Sequence, residues 1–123
     1  MKIEHIALWT RNLETSKQFY CEYFGGEAGA MYRNEETGFS SYFIRFDQGA
    51  RLEIMTDPAA EAQDNEERHY GYSHLAFAVG SEDTVDDLTA RLGAEGYRVV
   101  SGSRRTGDGY YESCVLDPDG NRV

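Results

Sequence analysis

Two histidines and one glutamate stand in this chain where their chemistry can be shared. His5 lies in Ile3-Glu4-His5-Ile6-Ala7-Leu8-Trp9, and His74 lies 69 residues later in Tyr72-Ser73-His74-Leu75-Ala76-Phe77. Glu53 lies in Arg51-Leu52-Glu53-Ile54-Met55. All three stretches alternate as half-buried strands do, sending every second side chain to one face. Ile6 and Leu8 oppose Ile3, His5, Ala7 and Trp9. Leu75, Phe77 and Val79 oppose Tyr72, His74, Ala76 and Ala78. Leu52 and Ile54 oppose Arg51, Glu53 and Met55. The aliphatic sets suit a covering helix, so His5, Glu53 and His74 fall on the other, concave face. Two imidazoles and a carboxylate are ligand types for a divalent first-row metal. Spread over separate strands, they suit a rigid site with positions open to water or substrate. Taken alone, a strand histidine is more often a hydrogen-bonded core residue; its repetition carries the ligand reading.

The elements that must position these residues occur twice. After His5 come a polar start, a helical stretch and Gly25-Gly26; after His74 come Ser81-Glu82-Asp83, a helical stretch, Gly93 and Gly96. Gly49-Ala50-Arg51-Leu52 matches Gly120-Asn121-Arg122-Val123 at an offset of 71. Each half reads strand, helix, three strands. In the first, a strand over 2–10 precedes a helix capped by Asn12, with Leu13, Ser16, Phe19, Tyr20 and Tyr23 on one stripe and a stop at Gly25-Gly26. Strands follow over about 27–34, 39–47 and 51–56, divided by turns at 34–38 and 47–49. In the second half strands are expected over 72–79, 97–103, 109–116 and from 121 onward. Ser81 caps a helix with Val85, Leu88 and Leu92 on its stripe, and Asp117-Pro118-Asp119-Gly120 is a turn. The organisation is one α+β domain: module 1 over about 1–56, a linker over 57–71, and module 2 over about 72–123. One βαβββ unit has too little core alone, whereas two pairing their sheets can enclose one. Beyond Val123 the repeat places a counterpart of Glu53. The expectation is that a natural form continues and that residue 124 is Glu.

Composition narrows the partners. The 123 residues are 40 % hydrophobic and 13 % aromatic, enough for a folded core. A net charge of −10 repels phosphate backbones and anionic lipid, so no nucleic acid partner is expected. No apolar run nears the ~18–20 residues of a membrane helix, and the start carries no export signal. Cys21 and Cys114 make no disulfide framework, which points to reduced thiols in the cytoplasm.

The runs His5-Ile6-Ala7-Leu8, Leu13-Glu14-Thr15-Ser16-Lys17-Gln18-Phe19-Tyr20, His74-Leu75-Ala76-Phe77 and Asp117-Pro118-Asp119-Gly120-Asn121-Arg122 resemble the glyoxalase I/bleomycin-resistance/extradiol-dioxygenase superfamily, the vicinal oxygen chelate proteins. The resemblance spans essentially the whole chain. It implies paired βαβββ modules forming a cupped mixed sheet around a metal, commonly in a homodimer. The glyoxalase I-like ligand set of one His and one Glu per module maps to His5, Glu53, His74 and position 124. Nickel, zinc, manganese and iron are all implied as the divalent ion, without a choice among them. The implied reaction is lyase or isomerase chemistry of the lactoylglutathione lyase type on a small molecule with vicinal oxygens. Glu53 is the implied base, with Glu112, aligned with Ser41 beside Tyr110 and Cys114, as a substitute base or an ordinary salt-bridge residue. Trp9, Arg11, Arg51 and Tyr72 are the candidates to receive substrate, with Phe43 in an aromatic wall and Arg45 as a further cation. Two departures count against a glutathione adduct: Trp9 stands where bacterial glyoxalases usually carry Arg, and Asp57 where they tend to carry Asn. The alternatives within the resemblance are a metal-free, bleomycin-resistance-like binding protein, a thiol transferase, and an iron oxygenase. His69 reads as a solvated linker residue, and Asp117 and Asp119 read as turn residues.

Overall fold

A computed structural model describes residues 1–61 and 70–123, so His69 and most of the expected linker lie outside the described residues. The chain divides into two compact units, Met1–Gln63 and Asp64–Val123. The architecture is α+β.

The first unit begins with β1 (His5–Trp9) and α1 (Leu13–Phe24). Asn12 starts the helix by accepting a hydrogen bond from the Thr15 amide, 3.0 Å, and Gly25 ends it at φ +66°. Then come β2 (Glu27–Ala28), β3 (Tyr32–Arg33), β4 (Ser40–Arg45) and β5 (Arg51–Thr56). The sheet order is β1-β5-β4-β2, with β3 also paired to β4. β1 and β5 run parallel, and the other pairs are antiparallel. Here α1 lays Phe19 and Tyr20, both fully buried, over Ile44 of β4 and Leu52 and Ile54 of β5. Burying side chains of that size stabilises the unit by about 1.5–3 kcal/mol each. β1 is an edge strand, so Leu8 is only half-buried and Ile6 is exposed. The strand expected over 27–34 is two short pieces. The chain leaves the ladder after Ala28, where the Gly29 amide still bonds the Phe43 carbonyl at 2.9 Å.

The second unit contains α2 (Glu82–Ala94), β6 (Val99–Arg105) and β7 (Tyr111–Val115). Ser81 caps α2 through the Thr84 amide at 3.1 Å. β6 and β7 pair antiparallel with register shifts on either side of Ser101, and Leu92, Val115 and Leu116 form the buried centre. The turn joining β6 and β7 is held by the Thr106 amide on the Tyr110 carbonyl, 2.8 Å, so the hairpin sits about two residues later than expected. The strand expected over 72–79 alternates as foreseen, with Leu75, Phe77 and Val79 half-buried between exposed neighbours. It forms no ladder among the described residues; it is bonded to 121–123 from the Leu75 amide to the Arg122 carbonyl, 3.0 Å. From 121 onward the chain does pair antiparallel with the end of β7: Val115 and Val123 exchange two backbone hydrogen bonds, 2.8 and 2.9 Å, and Leu116 bridges Arg122. Alternation is a local property, whereas a strand needs a partner along its length. Asp117 proves a turn residue: its carboxylate accepts from the Asp119 amide, the Asn121 amide and the Asn121 side chain, all within 2.9 Å.

Candidate functional site

Register decides what the first unit can do. β1 and β5 pair His5 with Arg51, Ala7 with Glu53 and Trp9 with Met55. β4 adds Phe43 opposite Glu53 and Ser41 opposite Met55. In a ladder, partners project to the same side. One face therefore carries His5, Arg51, Glu53, Phe43, Trp9 and Met55, while Leu52 and Ile54 go to α1.

His5 and Glu53 converge on this face. The Nε2 atom of His5 lies 4.0 Å from Oε2 of Glu53, too far for a hydrogen bond. The other ring nitrogen, Nδ1, is 2.5 Å from Oε2 of Glu4. A carboxylate only accepts, so Nδ1 carries the proton, and in the neutral form of the ring the lone pair is then on Nε2. A nitrogen lone pair and a carboxylate oxygen thus share a neighbourhood. Two adjacent ligand atoms about 2.1 Å from a first-row ion are about 3.0–3.4 Å apart, so a movement of less than about 1 Å brings these two to that separation. A carboxylate on the far nitrogen is the usual support of a metal-bound histidine. The donor set fits a divalent ion. Within either unit no three His, Cys, Asp or Glu side chains gather as a ligand group among the described residues.

Four side chains fix this corner. Glu4 gives its second oxygen, Oε1, to Nη2 and Nε of Arg51 at 2.5 and 2.8 Å. The Arg51 guanidinium lies 4.1 Å from the centre of the Phe43 ring. The His5 ring meets Phe43 edge-on at 5.4 Å. The hydrogen bond from His5, reinforced by Arg51, holds the Glu4 carboxyl below its ordinary pKa, against a smaller opposing effect of desolvation. Glu4 is the residue that motif reading passed over. Its signal was the cross-strand register, which sets an arginine opposite His5 and within reach of the preceding acid.

The other expected site residues are placed as follows. Trp9 is exposed and packs edge-on against Phe39 at 6.2 Å, with Tyr32 6.1 Å beyond Phe39. Arg11 is exposed just before α1. Arg51 is already engaged by Glu4 and Phe43, and Arg45 pairs with Glu27 at 3.1 Å. In the second unit Tyr72 and His74 are exposed, and the His74 Nδ1 atom is 3.4 Å from the Ser73 hydroxyl. Glu112 pairs with Arg104 at 3.2 Å. It lies on the face of β7 opposite Tyr111 and Ser113, which bond to Asp86 and Thr89 of α2.

No helix among the described residues is long and apolar enough to cross a membrane. The family model for the Glyoxalase/Bleomycin resistance protein/Dioxygenase superfamily matches residues 2–123. The chain is 32 % identical over 126 residues to the uncharacterized protein YqjT of Bacillus subtilis (strain 168), covering 98 % of this chain and 94 % of that protein. It is 28 % identical over 140 residues to the lactoylglutathione lyase of Schizosaccharomyces pombe, covering 96 % of this chain and 44 % of that enzyme. The fold matches a glyoxylase/bleomycin resistance protein/dioxygenase domain from Frankia sp. EAN1pec with a TM-score of 0.82 at 20 % identity, over 99 % of this chain and 93 % of that one. The chain belongs to the Glyoxalase/Bleomycin resistance protein/Dioxygenase superfamily.

Proposed function

We propose that this protein is a metal-dependent lyase or isomerase of the lactoylglutathione lyase type, acting on a small molecule with vicinal oxygens. The observation that carries this reading is the approach of His5 Nε2 to Glu53 Oε2 with Glu4 on the opposite ring nitrogen. His5 and Glu53 are the proposed ligands of a divalent ion in the first unit, and His74 is the further ligand that the family resemblance implies. That ion would stabilise, as a Lewis acid, the negative charge that develops when a carbon next to a carbonyl loses its proton. The chain's own residues do the rest. Glu53 takes the proton from the hydroxyl-bearing carbon and returns it to the neighbouring carbonyl carbon, while the hydroxyl proton passes to the former carbonyl oxygen, so the reaction is a balanced isomerisation with no co-reactant. Its side chain is partly sheltered, 15 % exposed. Trp9, with Phe39 and Tyr32 beside it, provides an apolar wall next to the reacting atoms. The reading includes a cytoplasmic homodimer, and the free Cys21 and Cys114 are in keeping with a reducing compartment.

The test is metal content by inductively coupled plasma mass spectrometry, with isomerisation of hemithioacetals of 2-oxoaldehydes formed with glutathione and with other thiols. Wild type is expected to hold about one equivalent of nickel, zinc, manganese or iron per site. A His5→Ala/His74→Ala double variant is expected to hold none and to be inactive. Wild type without metal after reconstitution would overturn the proposal and favour a metal-free binding protein.

A further inference from the structure

We propose that Glu4 is a positioning residue: it selects the Nδ1–H tautomer of His5 and so presents the Nε2 lone pair toward Glu53. This inference rests on the reading of His5 as a metal ligand and assigns the residue that prepares it.

A neutral imidazole has two tautomers, and only the one protonated at Nδ1 leaves Nε2 free to bind an ion. Nothing in the His5 side chain itself makes that choice. Glu4 makes it, because its Oε2 atom sits 2.5 Å from Nδ1 and accepts a hydrogen bond there. Glu4 is itself held. Its Oε1 atom takes two bonds from Arg51, 2.5 and 2.8 Å, leaving Oε2 turned to the imidazole. Arg51 is aimed in turn by the Phe43 ring under its guanidinium, and the same ring meets His5 edge-on. The four side chains close a loop, Glu4 to His5 to Phe43 to Arg51 and back to Glu4. Rotation of the imidazole would break contacts on two sides of the ring.

Backbone geometry explains how neighbours in sequence can meet this way. Alternation would send Glu4 and His5 to opposite faces within a strand. β1 begins at His5, so Glu4 stands just before it. Its carbonyl accepts the Arg51 amide at 3.0 Å, which brings the start of β5 beside it. The side-chain bond from Arg51 then holds the Glu4 carboxylate beside the His5 ring. The arrangement is not explained by stability: the Glu4 side chain is 54 % exposed, and exposed ion pairs contribute little. What the carboxylate fixes is the state of the ring.

The experiment reads the ring directly. Protein labelled with 15N at histidine is studied by long-range 15N–1H correlation, without metal and above the imidazole titration range. The His5 signals are identified by their loss in His5→Asn. Wild type is expected to show Nδ1 protonated and Nε2 bare. Glu4→Ala is expected to shift His5 toward the Nε2–H tautomer while the His74 signals stay in place, a change that a merely structural ion pair would not produce. Zinc affinity, measured by competition with a chromogenic chelator, is expected to fall about 10- to 100-fold in Glu4→Ala. It should recover in part in Glu4→Gln, whose amide oxygen can still accept from Nδ1. A wild-type His5 protonated mainly at Nε2 would overturn the proposal, and that measurement needs no variant to fold. An unchanged tautomer in a folded Glu4→Ala would overturn it equally. A wild type with the Nδ1–H tautomer that the alanine variant loses, but with no zinc binding, would overturn the metal reading and support Glu4 as the selector of the tautomer.

Discussion

Glu53 is not the ladder partner of His5; it pairs with Ala7, and its carboxylate reaches His5 on the diagonal, Oε2 to Nε2 at 4.0 Å. In the parallel pair of β1 and β5, the residue directly opposite His5 is Arg51. That position is used to hold Glu4 rather than to face the imidazole. The diagonal separates the two jobs, with orientation at one end of the ring and chemistry at the other.

Replacing Glu53 by Gln keeps the shape and removes the charge and the basic oxygen. As the proposed proton carrier, its loss should lower kcat about 100- to 10,000-fold. The urea midpoint of the metal-free protein should move little, because no hydrogen bond ties this carboxylate to His5 at 4.0 Å. Steady-state kinetics beside urea denaturation would decide. A Glu53→Gln protein with near-normal kcat would remove Glu53 from the proton step.

Trp9 offers a different readout. Its ring is exposed and touches Phe39 edge-on, so truncation should cost the fold little. If it lines the substrate pocket, Trp9→Ala should raise KM about 10-fold for a substrate with a bulky apolar group and leave kcat nearly unchanged. An equal effect on a substrate with only a methyl group would argue against a role for Trp9 in recognising that part of the molecule.

What the sequence made legible depended on how local the signal was. Asn12, Ser81 and Gly25 carry their helix boundaries in their own side chains or backbone freedom: both helices begin, and α1 ends, where these residues stand, whereas α2 runs through Gly93 to Ala94. The alternation around Glu53 needs only its neighbours and correctly assigned Leu52 and Ile54 to the helix side. Pairing was less legible. The run over 27–34 splits because the ladder with β4 is interrupted between Gly29 and Tyr32, and Leu75–Val79 alternates without a ladder among the described residues. Glu4 was hidden for the same reason: it gains its role from Arg51, 47 residues away in the chain.

Ser16 is a fully buried polar side chain in the interface between α1 and the sheet. Its hydroxyl shares a 2.7 Å hydrogen bond with Thr10, which also bonds the Asn12 backbone. This ties the end of β1 to the start of the helix. Ser16→Ala should cost about 1 kcal/mol in chemical denaturation, the usual net value of such a bond. Ser16→Leu should cost more, since no room exists for a branched side chain beneath a closed helix. A neutral Ser16→Leu would show that α1 can lift from the sheet.

The Glu14, Lys17 and Tyr42 cluster predicts how stability follows pH. Lys17 above all, then the Tyr42 hydroxyl, hold the Glu14 carboxyl below its ordinary value of 4.5. Glu14 holds the Lys17 ammonium above its ordinary value of 10.5. A lowered carboxyl stabilises the fold fully above its ordinary value, and loses that contribution as pH falls through the folded-state value. A raised ammonium contributes fully below its ordinary value, and loses it as pH rises through the folded-state value. The gap in urea midpoint between wild type and Lys17→Met should therefore be widest between these limits and narrow on both sides. A gap independent of pH would show that Lys17 acts only through its packing over the Tyr42 ring.

Gly25 and Gly26 end α1 for different reasons, and substitution should separate them. Gly25 sits at φ +66° with nothing within 4 Å of an added Cβ. Its requirement is conformational, so Gly25→Ala should cost about 1 kcal/mol and Gly25→Asn less, because asparagine tolerates the left-handed region. Gly26 has no positive φ, but an added Cβ would lie 2.5 Å from Ile44 Cγ2 and 3.1 Å from both Phe46 Cε1 and the Tyr20 carbonyl. Ile44 is fully buried in β4, between β2 and β5, and has little room to yield. Gly26→Ala should cost about 1–3 kcal/mol, and Gly26→Asn should be no better than alanine. Trimming the neighbour tests the cause: Ile44→Val is destabilising alone, yet should reduce the added cost of Gly26→Ala in a double-mutant cycle. Strict additivity between the two would mean that the clash is relieved elsewhere, by movement of the α1 terminus.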